Sequence, residues 1–289
     1  MGRGPALTVV DSAREFAYRP RDFERARRMI HERAGIALGE FKAEMVYSRL
    51  AKRLRALGLR DFRDYLAQLD DAAHPEWEHF INALTTNQTE FFREGHHFPM
   101  LARHALAVTR RPVRVWSAAS ATGEEPYSIA ITLCEAFGSL APPVKILATD
   151  LDTRALAQSQ EGIYAMEKVA SIEPERLRRF FQKGRGRREG FARVRDAVRS
   201  LVEFRRLNLR DPTWNVEGPF DAIFCRNVLI YFDKPMQREV LRRLAARLAP
   251  DGLYFAGHSE SLLHAADLFE PCGRTVYRPI LASGAVAHD

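Results

Sequence analysis

Val113-Arg-Val-Trp-Ser-Ala-Ala-Ser-Ala-Thr-Gly-Glu-Glu-Pro-Tyr127 decides the fold. The apolar run Val113–Trp116 predicts a buried strand, and it breaks into small residues from Ser117 to Gly123. A helix then starts: Pro126 is tolerated in a first turn, where its missing N–H has no partner to lose. Ile129, Ala130, Leu133 and Phe137 carry an apolar face onward at helical spacing. Strand, small-residue loop and helix N-terminus form the opening unit of a nucleotide-binding α/β fold. The loop has neither a G-x-G-x-x-G string nor a Walker lysine. Glu124 and Glu125 stand where a pyrophosphate would sit, and carboxylates repel phosphate. They suit an uncharged ribose or a cationic ligand. S-adenosylmethionine offers both, with ribose hydroxyls, a sulfonium and an ammonium, and it has no phosphate. The plainer reading is that both acids only complement the positive end of a helix dipole.

Downstream, strand and helix alternate, which implies a mainly parallel sheet. Val144–Asp150 reads as the second strand. It ends in an acid, and an acid at that place takes ribose hydroxyls in a bidentate hydrogen bond. Asp152 fits the competing job, capping a helix over Arg154–Glu161, better than Asp150 does. A further helix is predicted from about Ile172 to Phe181. The alternation is then interrupted. Between Lys183 and Arg199 lie six arginines and one lysine against Glu189 and Asp196. Phe191, Val194, Val198, Val202 and Phe204 favour short strands, so a small antiparallel insertion with a basic edge is expected at about 183–206. Such an edge can recruit an extended peptide by strand addition; the plainer reading is a loop that covers the sheet. Phe220–Cys225 reads as a central strand running into Arg226-Asn-Val-Leu-Ile-Tyr-Phe232, whose polar residues then face the ligand crevice. Gln237–Leu248 reads as a helix, and Leu253–Gly257 with Thr275–Pro279 as a terminal antiparallel pair.

Upstream of Val113 no strand pattern occurs. Residues 1–18 read as a loose tail, 19–90 as an all-helical domain, 91–110 as a linker, 111–280 as the α/β domain and 281–289 as a frayed end. A helix from about Phe41 to Leu57 turns Met45, Val46, Leu50, Leu54 and Leu57 inward and stops at Gly58. Its other face holds Arg49, Lys52, Arg53 and Arg55, with Arg60 just beyond and only Glu44 nearby. Charge runs are usually solvated faces, but acids are sparse enough here to make these four residues a candidate substrate-binding surface. Asp61 fits an N-cap, and Glu76–Leu84 a further helix. His96 and His97, being adjacent, would point apart on a helix and make poor joint metal ligands, so surface or packing roles are expected for both.

The bulk properties narrow the class. The 289 residues suffice for two domains with substantial cores. No apolar run approaches the ~20 residues that span a bilayer, and no secretion signal is visible. Cys134, Cys225 and Cys272 form no C-x-x-C pair, which argues for a reducing, cytoplasmic setting and against a structural metal. The net charge of +7 fits nucleic acid or an acidic protein partner equally.

Four segments resemble the chemotaxis receptor glutamate methyltransferase (CheR) family over roughly residues 20–280. They are Thr85-Thr-Asn-Gln-Thr-Glu-Phe-Phe-Arg93, Ser117-Ala-Ala-Ser-Ala-Thr-Gly-Glu-Glu-Pro-Tyr-Ser128, Ala148-Thr-Asp-Leu-Asp-Thr153 and Phe224-Cys-Arg-Asn-Val-Leu-Ile-Tyr-Phe-Asp233. The resemblance implies an N-terminal helical domain and a Rossmann-like S-adenosylmethionine-dependent methyltransferase domain carrying a small antiparallel β-subdomain. By position it assigns the cofactor to Asn87, Thr89, Arg93, Glu125 rather than Glu124, Asp150, Asn208, Leu209, Arg226 and Asn227. It places Arg93 and Tyr231 at the methyl-transfer site. The implied reaction methylates glutamate carboxylates in the helical cytoplasmic region of chemoreceptors and leaves S-adenosylhomocysteine, with no metal and no nucleic acid. In some members the β-subdomain binds a receptor's C-terminal peptide, and Gly184-Arg-Gly186 is the segment expected there. Nothing in the sequence asks for an obligate oligomer, so a monomer is expected. Two other readings compete. A nucleic-acid methyltransferase fits the positive charge, but the Pro-Pro-Tyr string frequent in such enzymes is replaced by Asn227-Val-Leu-Ile-Tyr231, and the arginine runs lack aromatics for base stacking. A non-catalytic cofactor-binding module is opposed by the intact Arg93, Asp150 and Tyr231.

Overall fold

A computed structural model describes residues 14–280, and the chain divides after Thr85 into two units. In the first, apolar residues at helical spacing build four helices among the described residues: α1 (Pro20–Ala34), α2 (Ala43–Leu57), α3 (Phe62–Gln68) and α4 (Glu76–Leu84). Local chemistry sets their ends. Pro20 opens α1, left-handed Gly35 and Gly58 close α1 and α2, and the Asp61 carboxylate caps α3 by accepting the Asp64 N–H at 2.9 Å. Ile30, Val46, Leu50, Leu54, Phe62, Tyr65 and Phe80 pack between them, all at or near zero exposure. The expected loose tail ends earlier than residue 18: Phe16 is buried, and the Tyr18 ring lies 4.6 Å from that of Phe62. The rest of that tail, residues 1–13, and the expected frayed end, 281–289, lie outside the described residues.

The second unit opens with Thr86. Residues 91–110, expected as a linker, mostly form a packed helix, α5 (His97–Ala107), whose Phe98, Leu101 and Ala105 join the core. The alternating part follows as β1 (Val113–Ser117), α6 (Glu124–Ala136), β2 (Val144–Asp150) and α7 (Thr153–Glu161). Next come β3 (Ile163–Ala165), α8 (Met166–Val169), α9 (Pro174–Phe180), β4 (Phe181–Lys183), β5 (Phe191–Val194) and α10 (Asp196–Arg199). The chain ends with β6 (Val202–Arg206), β7 (Phe220–Cys225), α11 (Lys234–Ala245), β8 (Leu248–Ala256), β9 (Phe269–Gly273) and β10 (Val276–Pro279). A seven-stranded sheet runs β6-β2-β1-β7-β8-β10-β9; its first five strands are parallel, and β10 and β9 are antiparallel. The central β7 is a near-continuous apolar run buried at every position, as burial on both faces requires, whereas the edge strand β6 alternates.

The boundaries of the insertion differ from those expected. Its three-stranded sheet, β3-β5-β4, starts at Ile163, before the arginine-rich segment, and ends at Val194. Val202–Arg206 is instead the edge strand of the main sheet, paired in parallel with Ile146–Asp150. Period-2 alternation looks alike in a hairpin and in an edge strand, so the sequence does not separate them. Leu248 also leaves the predicted last helix: α11 stops at Ala245, and Leu248 opens β8. Among the described residues no helix is long and apolar enough to cross a membrane.

Candidate functional site

After β1 the chain moves outward to β2 and β6, then crosses to β7 on the other side of β1. In such a sheet the ligand crevice opens at the carboxyl ends of the strands where the order reverses, here β1 and β7. Ser117 pairs with Ala148 and with Phe224, so the ends of β2, β1 and β7 lie side by side, about 5 Å from strand to strand. Three loops therefore converge: Ala118–Gly123 after β1, the Asp150 turn after β2 and Arg226–Tyr231 after β7.

The loop after β1 is pinned at every turn. Ala118 N donates to Phe224 O at 2.8 Å and Ser120 N to Thr149 O at 2.9 Å. Gly123 is left-handed, with φ 96, and a Cβ there would lie 2.7 Å from the Tyr164 hydroxyl, so only glycine fits. That turn sends the two acids in different directions. Glu124 points away from the crevice: it is fully buried, accepts from the Thr122 hydroxyl at 2.6 Å and has the Lys168 ammonium 3.9 Å off. Glu125 accepts from the Ser117 hydroxyl at 2.8 Å and from Arg226 at 3.1 Å, at the joint end of β1 and β7. Burial pushes both carboxyls up, and Arg226 works against it at Glu125.

Asp150 accepts the backbone N–H groups of Ala121 at 2.7 Å and Asp152 at 2.9 Å, which ties the β1 and β2 loops together. Burial raises its carboxyl to about 6, against its backbone donors. Asp152 does the capping: it accepts from Arg154 N and Ala155 N, and Asn87 donates to its other oxygen at 2.7 Å. Thr89 is half-buried in the same approach segment. Asn208 and Leu209 follow β6; the Asn208 amide oxygen accepts the Arg210 N–H at 3.0 Å, and Leu209 is buried.

Arg226 is the hub. Its guanidinium is 2% exposed; it donates to Glu125 and, at 2.6 Å, to the backbone carbonyl of Arg93, and it lies 3.4 Å from Glu94. Phe92 and Glu94 on either side of Arg93 are left-handed, with φ 55 at each, and the Phe92 N–H donates to the Ser128 hydroxyl at 2.9 Å. Arg93 thus sits in a strained turn clamped from both sides, its own guanidinium 3.1 Å from Gln88 O. Burial alone would raise Glu94, but hydrogen bonds from His258 and the charge of Arg226 outweigh it and hold the carboxyl at about 2. Tyr231 is half-buried at the end of the 3₁₀ turn Leu229–Tyr231 that follows Asn227.

His96 and His97 do not point apart. Their rings lie 4.2 Å from one another, and both reach the Thr275 hydroxyl, at 3.3 and 2.8 Å. With Glu94 they bring three possible ligand atoms within 4.8 Å. The nearby charge is already supplied by Arg226, and burial with that charge lowers His97 to about 3. The four basic residues of α2 fall within the first unit, and three are engaged there, two of them by acids. Arg53 forms a two-pronged pair with buried Glu76, at 2.8 Å for both bonds, and the Tyr65 hydroxyl donates to the same acid. Arg55 pairs with Glu15 at 2.7 Å, and Arg49 donates to the carbonyl of Thr85 at 2.8 Å. Lys52 is exposed. Sequence reasoning missed Glu94, His258 and Glu260, of which the last accepts four backbone N–H groups around the β7 loop. The available signal was an acid three residues past Gly257, just beyond an apolar strand.

The donor set fits S-adenosylmethionine. Glu125 and Asp150 face a crevice whose one buried cation among the described residues, Arg226, is shared with Glu94, so negative charge remains for a cationic ligand. A carboxylate has about four lone-pair sites, so the backbone donors on Asp150 leave it room to accept from a hydroxyl.

Residues 87–278 match the family model described as CheR methyltransferase, SAM binding domain, and residues 21–85 the one described as CheR methyltransferase, all-alpha domain. The chain is 51% identical to chemotaxis protein methyltransferase 2 of Pseudomonas aeruginosa, over 92% of this chain and 95% of that one. It is 49% identical to the chemotaxis protein methyltransferase of Salmonella typhimurium, over 95% of each.

Proposed function

Because the chain belongs to the CheR methyltransferase family, we propose that it methylates glutamate side chains of chemoreceptors, using S-adenosylmethionine, in the cytoplasm. The observation that supports this most is the acid-lined crevice at the ends of β1, β2 and β7, which disfavours phosphate and suits a sulfonium ligand carrying a ribose. Asp150 would hold the ribose hydroxyls, with Asn208 and Leu209 beside it. Glu125, Arg226 and Asn227 would hold the amino-acid end, and Asn87, Thr89 and Arg93 would close the approach.

Bound S-adenosylmethionine supplies an electrophilic methyl group. A glutamate carboxylate, with an ordinary pKa of about 4.3, is already ionised at pH 7, so the chain need supply no general base. Its task is to orient the carboxylate in line and strip it of water. Arg93 can fix that carboxylate by charge-assisted hydrogen bonds, and the clamped turn around it limits its freedom. Tyr231 would line the transfer site. The neutral His97 and the ionised, paired Glu94 hold the turn and take no proton in the reaction.

For the receptor, the basic face of α2 would steer a glutamate-rich helix through long-range attraction. With Arg53 and Arg55 engaged by acids of their own unit, the outward charge rests more on Lys52. The β-subdomain supports a second contact, with a receptor C-terminal peptide. Lys183, Arg185, Arg188, Arg193 and Arg199 line a depression of about 830 Å³ beside half-exposed Phe191, chemistry that suits an acidic peptide with an aromatic side chain. The test is transfer of radiolabelled methyl to chemoreceptor-bearing membranes, followed by mild alkali. Label on receptor bands released as methanol supports the reading, and alkali-stable label overturns it.

A further inference from the structure

We infer that Glu260 is a positioning residue for methyl transfer, holding the Asn227–Tyr231 loop in its working shape; this rests on the function proposed above. Glu260 is 7% exposed, and no cation pairs with it among the described residues. Its charge is met by backbone amides alone. Oε1 accepts from Val228 at 3.0 Å and Leu229 at 2.9 Å; Oε2 accepts from Asn227 at 3.0 Å and Gly257 at 2.7 Å. Four donors fill the carboxylate, so it has nothing left for a ligand and acts through the loop.

The loop needs such a brace. Asn227 is left-handed, with φ 58, a conformation that asparagine tolerates better than most residues other than glycine, so the bend itself is locally allowed and its open N–H groups are what need a partner. Three successive N–H groups turn inward at this bend, where no strand can receive them. A neutral side chain cannot replace the carboxylate, because one amide or hydroxyl oxygen cannot accept from four donors. The opposite wall is as tight. A Cβ on Gly257 would lie 2.4 Å from the Asn227 amide nitrogen and 2.9 Å from its backbone nitrogen. Beyond the bend, Gln237 donates to the carbonyls of Leu229 at 2.9 Å and Phe232 at 3.0 Å, which fixes the far end of the turn that carries Tyr231.

Two variants test this from opposite sides. In Glu260→Gln, either orientation of the amide sets its NH₂ against two N–H donors. Gly257→Ala keeps the carboxylate and pushes Asn227 directly. The readouts are single-turnover methylation of receptor membranes at saturating cofactor, S-adenosylhomocysteine affinity by calorimetry, and amide hydrogen exchange over residues 226–231. A misplacement of about 1 Å at a reacting centre costs roughly 100-fold in rate, so both folded variants should lose about 30-fold or more in rate. Cofactor affinity should fall less than the rate, because Asn227 is one of several proposed cofactor contacts and Glu125, Asp150 and Arg226 stay in place, and exchange should rise at 227–231 but not in β7. Unchanged rates, or rate and affinity falling by the same factor, overturn the inference. If Glu260→Gln does not fold, Gly257→Ala decides it. If the wild-type chain methylates no receptor, the function reading fails by itself; exchange at 227–231 that stays the same in both variants then overturns the brace as well.

Discussion

Asp150→Asn should make the ligand-free protein more stable at neutral pH while removing cofactor binding. Burial pushes the Asp150 carboxyl up to about 6 from an ordinary 3.8, outweighing its backbone donors. That rise corresponds to about 3 kcal/mol of stability at roughly 1.4 kcal/mol per pH unit. The sign follows from proton binding. Between pH 4 and 6 the folded state holds a proton that the unfolded chain has released, so stability falls as pH rises through this window and stays lower above it. Asparagine mimics the protonated, neutral form at every pH. It also turns an NH₂ toward one of the backbone N–H donors, which costs about 1–2 kcal/mol. The net gain at pH 7.5 is therefore about 1–2 kcal/mol, and below pH 4 the variant is the less stable of the two. Urea denaturation of both proteins without ligand, in steps from pH 4 to 8, measures this. Calorimetry with S-adenosylhomocysteine should show a loss of 30-fold or more, about 2 kcal/mol for a ribose hydrogen bond to a charged carboxylate. A stability difference independent of pH would refute the argument that the site holds a carboxylate against its solvation, and unchanged affinity would refute the ribose assignment.

Glu125→Gln should weaken cofactor binding about tenfold or more by calorimetry, whereas Glu124→Gln should leave it within about 3-fold, because Glu124 faces Thr122 and Lys168 away from the crevice. Arg226→Met should cost about 3–5 kcal/mol by leaving buried Glu125 without its cation and Glu94 with His258 alone. That lowers the melting temperature by about 10 °C, and the loss should shrink at pH 4, where the abandoned carboxyls take up protons. In the first unit, Arg53→Ala should destabilise by about 3–5 kcal/mol, since it strands Glu76, which is 4% exposed; Lys52→Glu should leave the melting curve in place and raise the KM for receptor. Neutralising Arg185 and Arg188 together should reduce binding of an acidic, aromatic-containing peptide in fluorescence titrations without changing cofactor affinity; equal binding by wild type and variant would remove the β-subdomain from the receptor contact.

Much of the frame was legible because it is set by neighbours in the chain. Apolar spacing marked α2, α4 and α6, and β1, β2 and β7. Asp61 and Asp152 cap the helices that their positions indicated, each bonding backbone two or three residues away. The boundary errors share one cause, which is that pairing and burial come from distant segments. The run Val202–Arg206 alternates as a hairpin strand would, and only its pairing with Ile146–Asp150 makes it an edge of the parallel sheet. Residues 91–110 read as a linker because α5 is short and carries Pro99, and its burial comes from α6.

The charges divide the same way. The sequence by itself determined that an acid-bearing loop, lacking the phosphate-binding motifs, follows β1, that an acid ends β2 and that Arg226-Asn227 ends β7, because strand ends and loop composition are local properties. Only the tertiary structure decided which acid turns inward: left-handed Gly123 sends Glu124 toward Thr122 and Glu125 toward Ser117 and Arg226, a partner 101 residues away. It also decided that Arg53 belongs to Glu76, that Arg226 supports Arg93 from 133 residues away, and that Glu260 gathers the amides of the β7 loop. A buried charge takes its energy from the groups that replace its water, and for these residues those groups are brought together by the sheet order and not by proximity along the chain.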